Sequence, residues 1–181
     1  MPASLAGRLL VASPTLDEAT FHRTVIAMLA HSAQGALGVV VNRPTEVALA
    51  EALPGWEAVA SDPAVVFSGG PVERTSIICL GEVEPGTPVD QIVDGIVTVD
   101  LSAPPGVVPA GAGRVRVFAG YAGWGSGQLE GELDRGSWLV VDGSPADVFG
   151  ADADGLWRQV LRRAGGRAAL YARAPEHLWL N

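Results

Sequence analysis

The sequence predicts an α+β fold: a single domain over residues 1–181, with a large mixed β-sheet flanked by short helices. Three observations predict it. Short apolar runs typical of buried strands outnumber helical patterns, their connections mix tight turns with helical stretches, and no segment repeats. The chain has 181 residues and is 48% hydrophobic, which is ample for one core and small for two.

The first 44 residues are rich in strand patterns. RLLVAS at 8–13 predicts the first strand, and the apolar runs at 24–32 and 35–44 predict two strands covered on both faces. The short AQG segment between those two runs is compatible with a hairpin. Between the first two strands, 15–18 has capping-box spacing, which indicates a helical turn or a structured loop.

The central part of the chain alternates helical and strand signals. The alanine-rich segment 45–60, broken by Pro-Gly, predicts a short helix and a turn. Apolar runs at 64–72 and 75–83 predict two strands, the first ending in Gly-Gly-Pro. At 91–100, two β-branched runs flank an Asp-Gly pair, which predicts a hairpin closed by a type I′ turn.

The last third contains two further strand patterns and a helix. Residues 101–113, rich in proline, glycine and alanine, predict a surface connection. RVRVFAG at 114–120 predicts a strand whose two arginines face solvent. Residues 137–143 predict the next strand, followed by a short helix with a Ser-Pro-Ala-Asp start. The apolar stripe within 154–166 predicts the final helix.

Composition excludes several classes of site. All twelve basic residues are arginine, so no P-loop lysine exists. The one cysteine, Cys79, permits neither an intramolecular disulfide nor a cysteine zinc site. The histidines at 22, 31 and 177 lack metal-binding spacing. We therefore expect no metal and no cofactor.

Charge and hydropathy bear on partners and location. The formal net charge is −8, which disfavours direct nucleic-acid binding because phosphates would meet a repulsive average field. The first residues lack the basic and apolar regions of a secretory signal, and no apolar run is long enough to span a bilayer. We expect a cytoplasmic protein that makes no membrane contact.

The glycine-rich stretch GYAGWGSGQLEGEL at 120–133 predicts a strand-to-helix turn. Its glycine spacing fits neither the dinucleotide fingerprint nor the P-loop. Backbone N–H groups at the helix start suit an anion, but Ser126, Gln128 and Glu130 are typical of caps for those donors. Tyr121 and Trp124 are typical either of a pocket wall or of core packing, and the residues alone leave both interpretations open.

Two other strand ends have glycine or polar side chains. Asn42 and Arg43 close one predicted strand, and Gly69 and Gly70 close another. Loops at strand ends often carry binding groups, although turn formation explains the same residues. Our binding-site hypothesis is that these turns meet the glycine-rich stretch around an unidentified small ligand. The candidate ligand-binding residues are Asn42, Arg43, Gly69, Gly70, Tyr121, Trp124 and Gln128.

Several motifs together resemble the bacterial AlgH/YqgE family. They are NRP at 42–44, GGPV at 69–72 and GYAGWGSGQLE at 120–130, and the resemblance extends over residues 7 to about 163. Ser126 departs from the family pattern, in which proline is common there. The resemblance implies an α+β domain with a large mixed sheet and a bacterial cytoplasmic protein without an assigned activity. The family also carries the label of transcriptional regulator. It has no established catalytic residues that the resemblance could assign to positions of this sequence.

Three classes of function remain open from the sequence. The leading hypothesis is a regulatory or small-ligand-binding module. The second is a hydrolase that uses His31 or Glu130 as a base. The third is a protein-interaction scaffold acting through the arginine-rich segment from Arg158 to Arg173. No helix-turn-helix pattern supports direct DNA reading.

Overall fold

The computed structural model describes residues 3–16, 18–107 and 113–176. Within these ranges nine strands form one sheet. They are β1 (Arg8–Ala12), β2 (Val25–Ser32), β3 (Gly35–Val40), β4 (Pro44–Ala48), β5 (Val65–Ser68), β6 (Val72–Glu82), β7 (Ile96–Thr98), β8 (Val115–Gly125) and β9 (Trp138–Asp142). The helices are α1 (Leu49–Ala52), α2 (Gln128–Asp134), α3 (Pro145–Phe149), α4 (Ala153–Ala164) and α5 (Gly166–Tyr171), with 3₁₀ turns at Trp56–Val59 and Pro105–Val107. His177, one of the three histidines considered as metal ligands in the sequence, lies outside the described residues.

The long strand β8 organises the sheet. The strand order is β4-β5-β8-β3-β2-β1-β9, with β6 also paired to β8 and β7 to β6. The first half of β8 lies between β5, which is parallel to it, and the antiparallel β6. Its second half pairs with the start of β3. The parallel β5–β8 pair makes the sheet mixed, as predicted, and places the ends of β3 and β5 beside the middle of β8.

Both faces of the sheet are covered, because successive strand residues point to opposite sides. On one face, Leu9 and Val11 join a core cluster that includes the α4 side chains Trp157 and Leu161. On the other face, Leu10 belongs to a second cluster beneath α2, and a third cluster surrounds the Trp56 turn. The nearly continuous apolar runs of the sequence therefore reflect two-sided burial.

Several predicted elements are confirmed. The runs at 24–32 and 35–44 form the β2–β3 hairpin, closed between Ser32 and Gly35. The predicted start of α3 is a capping box, in which Ser144 and Asp147 bond reciprocally. The helix predicted over 154–166 is α4.

The hairpin predicted at 91–100 is wrong. Residues 91–93 form no strand, and β7 pairs instead with Leu80–Glu82 of β6. A single bridge joins Val93 to Ile96, and only Gly95 of the Asp-Gly pair has positive φ, at 83°. A type I′ turn needs positive φ at both residues. The apolar residues after the turn gain more by joining the larger sheet than by closing a two-stranded ribbon.

The prediction that the Arg116 side chain faces solvent is also wrong. Arg116 is 2% exposed, and its guanidinium lies 4.2 Å from the centre of the Phe67 ring. It donates to the carbonyl oxygens of Asp62, Val148 and Gly150. Burial lowers the pKa of Arg116 to about 10. The segments around 62 and 148–150 cover this side of β8, which alternation within one strand cannot reveal.

The alanine-rich segment 45–60 contains a strand that the sequence did not indicate. Residues Pro44–Ala48 form the edge strand β4, and the predicted helix is confined to Leu49–Ala52. Pairing of β4 with β5 overrides the weak helix preference of alanine. At 15–18, the described residues Thr15, Leu16 and Glu18 form no helix, which agrees with the structured-loop alternative, and residue 17 lies outside the described ranges.

Candidate functional site

The glycine-rich stretch is divided between strand β8, which contains residues 120–125, and helix α2, which contains residues 128–133, and the turn between them is shorter than predicted. Ala122–Gly125 pair with Gly35–Gly38 of β3, so Tyr121 and Trp124 are strand residues. Only Ser126 and Gly127 separate the strand from α2, and Gly127 has φ 74°. This positive φ, in a left-handed conformation that favours glycine, lets the chain turn directly into the helix.

Trp124 belongs to a hydrogen-bonded group that we call the Glu132 cluster, made of Trp124, Trp138, Glu132 and Gln128. The indole Nε1 atoms of Trp124 and Trp138 donate to the same carboxylate oxygen, Glu132 Oε2, at 2.9 and 2.8 Å. The two rings lie edge to face, 6.2 Å between centroids. Both tryptophans are buried. The cluster fastens α2 across β8 and β9.

Gln128 completes this cluster at the start of α2. Its side-chain oxygen accepts the Gly125 N–H at 3.1 Å, and its Nε2 donates to Glu132 Oε1 at 3.2 Å. Ser126 Oγ donates to the carbonyl of Ala33 at 2.7 Å. These bonds tie the strand-to-helix turn to β3 and to α2, but neither side chain accepts an N–H of the first turn of α2, so the capping role expected for Ser126 and Gln128 is not observed.

The other predicted turns converge at the opposite end of β3. Gly69 accepts the Val40 N–H at 2.8 Å and donates its own N–H to Ala119 O at 2.9 Å. Gly70 has φ 150°, and a Cβ built there would lie 2.2 Å from the Tyr121 carbonyl carbon. Only glycine permits this approach, so the end of β5 is held directly against β8.

Asn42 and Arg43 hold the preceding loop, residues 18–24. Asn42 Oδ1 accepts the Val25 N–H and its Nδ2 donates to Arg23 O, both at 2.9 Å. Arg43 donates to the carbonyl oxygens of His22 at 2.9 Å and Ala19 at 3.3 Å. Partial burial lowers the pKa of Arg43, because desolvation disfavours the charged form.

These segments enclose a small cavity that we call the arginine pocket. Its volume is about 90 Å³, and it is lined by Thr20, Val40, Arg43, Ser68, Gly70, Pro71 and Arg74. The lining residues include two arginines and, within the described part of the chain, no acidic residue. The Gly70 N–H has no acceptor among the described residues. Paired cations and a free amide suit a small anion.

The structure therefore divides the predicted residues into two groups. Arg43 and Gly70 line the arginine pocket, while Asn42, Gly69 and the Tyr121 backbone position it. Trp124 and Gln128 lie near Gly35, at the other end of β3 from the arginine pocket. The two ends of β3 are five residues apart, which corresponds to about 16 Å.

Sequence reasoning missed three polar residues of the pocket, Thr20, Ser68 and Arg74. Arg74 belongs to none of the motifs described in the sequence. Its place four residues beyond Gly70 was the one signal that the sequence offered.

His31 and Glu130, the candidate bases, form a hydrogen-bonded pair. His31 Nε2 is 2.9 Å from Glu130 Oε1, and His31 Nδ1 accepts the Leu5 N–H at 3.1 Å. This pattern assigns a neutral ring with its proton on Nε2. The bond from His31 lowers the pKa of Glu130. Because both ring nitrogens have partners, His31 has no lone pair free to activate a nucleophile.

Two arginines of the arginine-rich segment bond to other parts of the protein. Arg158 donates to the carbonyl of Ala172, which ties α4 to the end of α5. Arg163 forms a bidentate pair with Asp147 of α3 at 2.8 and 2.9 Å, which raises the pKa of Arg163. Arg162, Arg167 and Arg173 are exposed.

The described ranges contain no group of three metal-ligating side chains. They also contain no helix long and apolar enough to cross a membrane.

Comparison with known proteins identifies the family. A family model described as AlgH-like matches residues 9–169. This chain belongs to the AlgH-like family. The AlgH-like protein is 45% identical over 186 residues to a UPF0301 protein of Streptomyces avermitilis, covering 99% of this chain and 96% of the relative. It is also 45% identical over 176 residues to one of Nocardia farcinica, covering 94% and 82%.

Two solved structures share the fold of this AlgH-like protein. A crystal structure of a Corynebacterium diphtheriae protein has a TM-score of 0.86 at 30% identity, covering 96% of this chain and 93% of that one. The solution structure of AlgH from Pseudomonas aeruginosa has a TM-score of 0.70 at 28% identity, covering 98% and 97%. The resemblance and the mixed-sheet fold predicted from the sequence are confirmed. The descriptions of these family members name no specific activity.

Proposed function

We propose that this AlgH-like protein is a regulatory or small-ligand-binding module of the bacterial cytoplasm, and that its arginine pocket binds a small oxyanion. The observation that carries the proposal is the approach of Arg43 and Arg74 to one cavity without a described carboxylate. In a protein of net charge −8, two cations gathered in this way favour an anion as their partner.

The size of the arginine pocket limits its occupant. Ligand pockets for whole drug-sized molecules are roughly 300–1,000 Å³, whereas this cavity is about 90 Å³. It accommodates a phosphate, sulfate or carboxylate group. A larger metabolite would place its charged group in the cavity, with the remainder outside.

Backbone strain beside the arginine pocket supports the same proposal. Arg23 has φ 54° and Glu73 has φ 45°, and they are the two non-glycine residues with positive φ among those described. Arg23 accepts the bond from Asn42, and Glu73 precedes the pocket residue Arg74. Strained conformations of this kind concentrate at functional sites.

Arg74 offers the cleanest test. Its side chain is exposed and makes no hydrogen bond with the described residues, so Arg74→Gln removes a pocket charge without breaking a loop contact. The matched control is Arg135→Gln, an exposed arginine beyond α2. Each protein is melted in sodium phosphate and in sodium chloride of equal ionic strength.

The expected result is specific stabilisation by phosphate. At ten times the dissociation constant, binding adds about 1.4 kcal/mol, which raises Tm by about 3–6 °C for a chain of this size. Arg74→Gln loses most of that shift, and Arg135→Gln keeps it. Equal phosphate shifts in all three proteins, or none in the wild type at any concentration, would overturn the proposal.

The regulatory part of the proposal acts through ligand binding and not through direct DNA contact. A helix that reads DNA presents a basic face, yet two of the four arginines on α4 and α5 bond within the protein. A gel shift on promoter DNA that survives about 150 mM salt and is lost on neutralising Arg162 would contradict this view.

A further inference from the structure

A larger cleft lies on the face of the sheet opposite to the Glu132 cluster. Its volume is about 400 Å³, within the range of small-molecule sites. It opens between β1, β2, the segment 85–96 and the start of α3. We call it the apolar cleft, because most of its lining is apolar: Leu9, Ala27, Leu29, Ile92, Val93 and Ile96.

The apolar cleft has a buried floor and partly exposed walls. Leu9 and Ile96 are buried and belong to the main core cluster. Leu29, Ile92 and Val93 pack against that cluster and remain partly exposed. Apolar side chains that line a concave surface without being covered favour a hydrocarbon group as occupant, because covering them releases water.

Strand alternation gives the apolar cleft a negative charge and no positive one. Successive residues of a strand point to opposite faces, so the Arg8 side chain lies on the other face from Leu9, where its Nε is 3.1 Å from an oxygen of Asp142. The Met28 side chain is likewise buried in the second core cluster. Asp94 is then the remaining charged residue of the described lining.

The Asp94 carboxylate has room for a cationic partner. Its Oδ1 accepts the Gly86 N–H at 3.3 Å, and a carboxylate has about four acceptor positions. None of the ion pairs among the described residues includes Asp94. Most of its hydrogen-bonding capacity is therefore open to a ligand.

A neighbouring acidic cleft adds to the negative charge at the mouth of the apolar cleft. Residues 82–94 contain four acids and no basic residue. Glu82 and Glu84 line the acidic cleft, which shares Pro85, Ser144 and Pro145 with the apolar cleft. Glu82 pairs with Arg114, whereas Glu84 is in none of the described ion pairs. Charges of one sign around a cleft concentrate counter-ions there.

We propose that the apolar cleft binds an amphipathic monoamine, with its hydrocarbon chain against Leu29, Ile92 and Val93 and its ammonium group on Asp94, on the side of Glu84. This ligand site goes beyond the arginine pocket, which takes a small polar anion. Its occupant is recognised by the combination of an apolar body and a single positive charge.

The test uses four probes: octylammonium, hexylammonium, 1-octanol and octanoate. Affinities are measured by isothermal titration calorimetry at pH 7.5 and low salt for the wild type, Asp94→Asn and the control Asp134→Asn. Asp94→Asn keeps an oxygen that can accept the Gly86 N–H. Asp134 is exposed on α2, so the two variants have equal net charge and differ in where the charge is removed. Circular dichroism confirms that both are folded.

The expected result is that the wild type and Asp134→Asn bind octylammonium about tenfold more tightly than hexylammonium, because the longer chain buries two more methylene groups. They bind it about threefold more tightly than 1-octanol, as expected for one exposed ion pair. Asp94→Asn loses the preference over 1-octanol and binds 1-octanol as the wild type does. Octanoate binds most weakly of the three eight-carbon probes.

The position of the site is checked by amide NMR, in which octylammonium should shift Leu29, Ile92 and Val93. Four results would overturn the proposal: equal octylammonium affinity in Asp94→Asn and Asp134→Asn, an equal loss of 1-octanol binding in Asp94→Asn, tighter binding of octanoate, or shifts that leave these three residues unmoved.

The arginine pocket and the apolar cleft are tested independently. Octylammonium binding in Arg74→Gln is expected to equal that of the wild type, and phosphate stabilisation in Asp94→Asn is expected to equal that of the wild type. The two site proposals therefore fail or stand separately.

Discussion

Replacing Glu132 with alanine tests the interpretation that Trp124 is structural. Glu132 Oε2 accepts from two indole N–H groups, those of Trp124 and Trp138, which are 7% and 5% exposed. Glu132→Ala leaves both donors without their acceptor. Each unpaired buried donor costs about 1–3 kcal/mol, and water reaches the half-exposed edge of the cluster, so we expect a loss of about 2–3 kcal/mol in total.

The measurement is the free energy of unfolding from guanidinium denaturation, followed by tryptophan fluorescence and circular dichroism. The loss corresponds to a fall in Tm of about 4–12 °C. Asp134→Ala, on the same helix but exposed, is the matched control. If Glu132→Ala is no less stable than Asp134→Ala, the Glu132 cluster does not fasten α2 and the assignment of Trp124 to the core is wrong.

Four further outcomes are expected. Gly120→Ala forces a side chain at φ 74° with its Cβ 2.5 Å from a carbonyl oxygen, so denaturation should show a loss of at least about 2 kcal/mol. Arg116→Met removes the donor of three carbonyl oxygens, one buried and two partly buried, and should cost about 3 kcal/mol by the same measurement. Burial raises the pKa of Cys79 to about 12, so a thiol reagent at pH 8 should label it only after unfolding. The hydrogen bond from His31 is the main cause of the lowered pKa of Glu130. The ionised Glu130 therefore stabilises the fold above about pH 4.3, and this contribution is lost as the pH falls. Glu130→Gln should reduce the loss of unfolding free energy between neutral and acid pH, measured by denaturation at each pH.

The fold class was predictable because its signals are local. Two-sided burial makes β1, β2 and β3 read as unbroken apolar runs, and the short hairpin at Ser32–Gly35 is set by adjacent residues. The sequence does not show which distant strand a segment will choose as its pairing partner. Strand β7 leaves its Asp-Gly turn to pair with β6, and β4 forms because β5 offers it an edge.

The candidate site was predictable only in part, for a related reason. Glycines after buried strands mark places where backbones approach closely, and this correctly indicates that Gly69 and Gly70 lie against β8. Strand length decides what else reaches that place. Since β8 continues to Gly125, Trp124 is carried to the opposite end of β3, and Arg74 takes a place in the pocket that no motif marks.

The most direct test of the arginine pocket is amide NMR mapping of phosphate binding, with sodium chloride of equal ionic strength as the reference. We expect saturable shifts of the Ser68, Gly70 and Arg74 amides, with Gly70 moving most because its N–H has no acceptor among the described residues. Gly125 and Gln128, which bond within the Glu132 cluster, should not move. Saturable shifts at Gly125 and Gln128 with none at Gly70 would contradict the account and restore the glycine-rich stretch as the binding site.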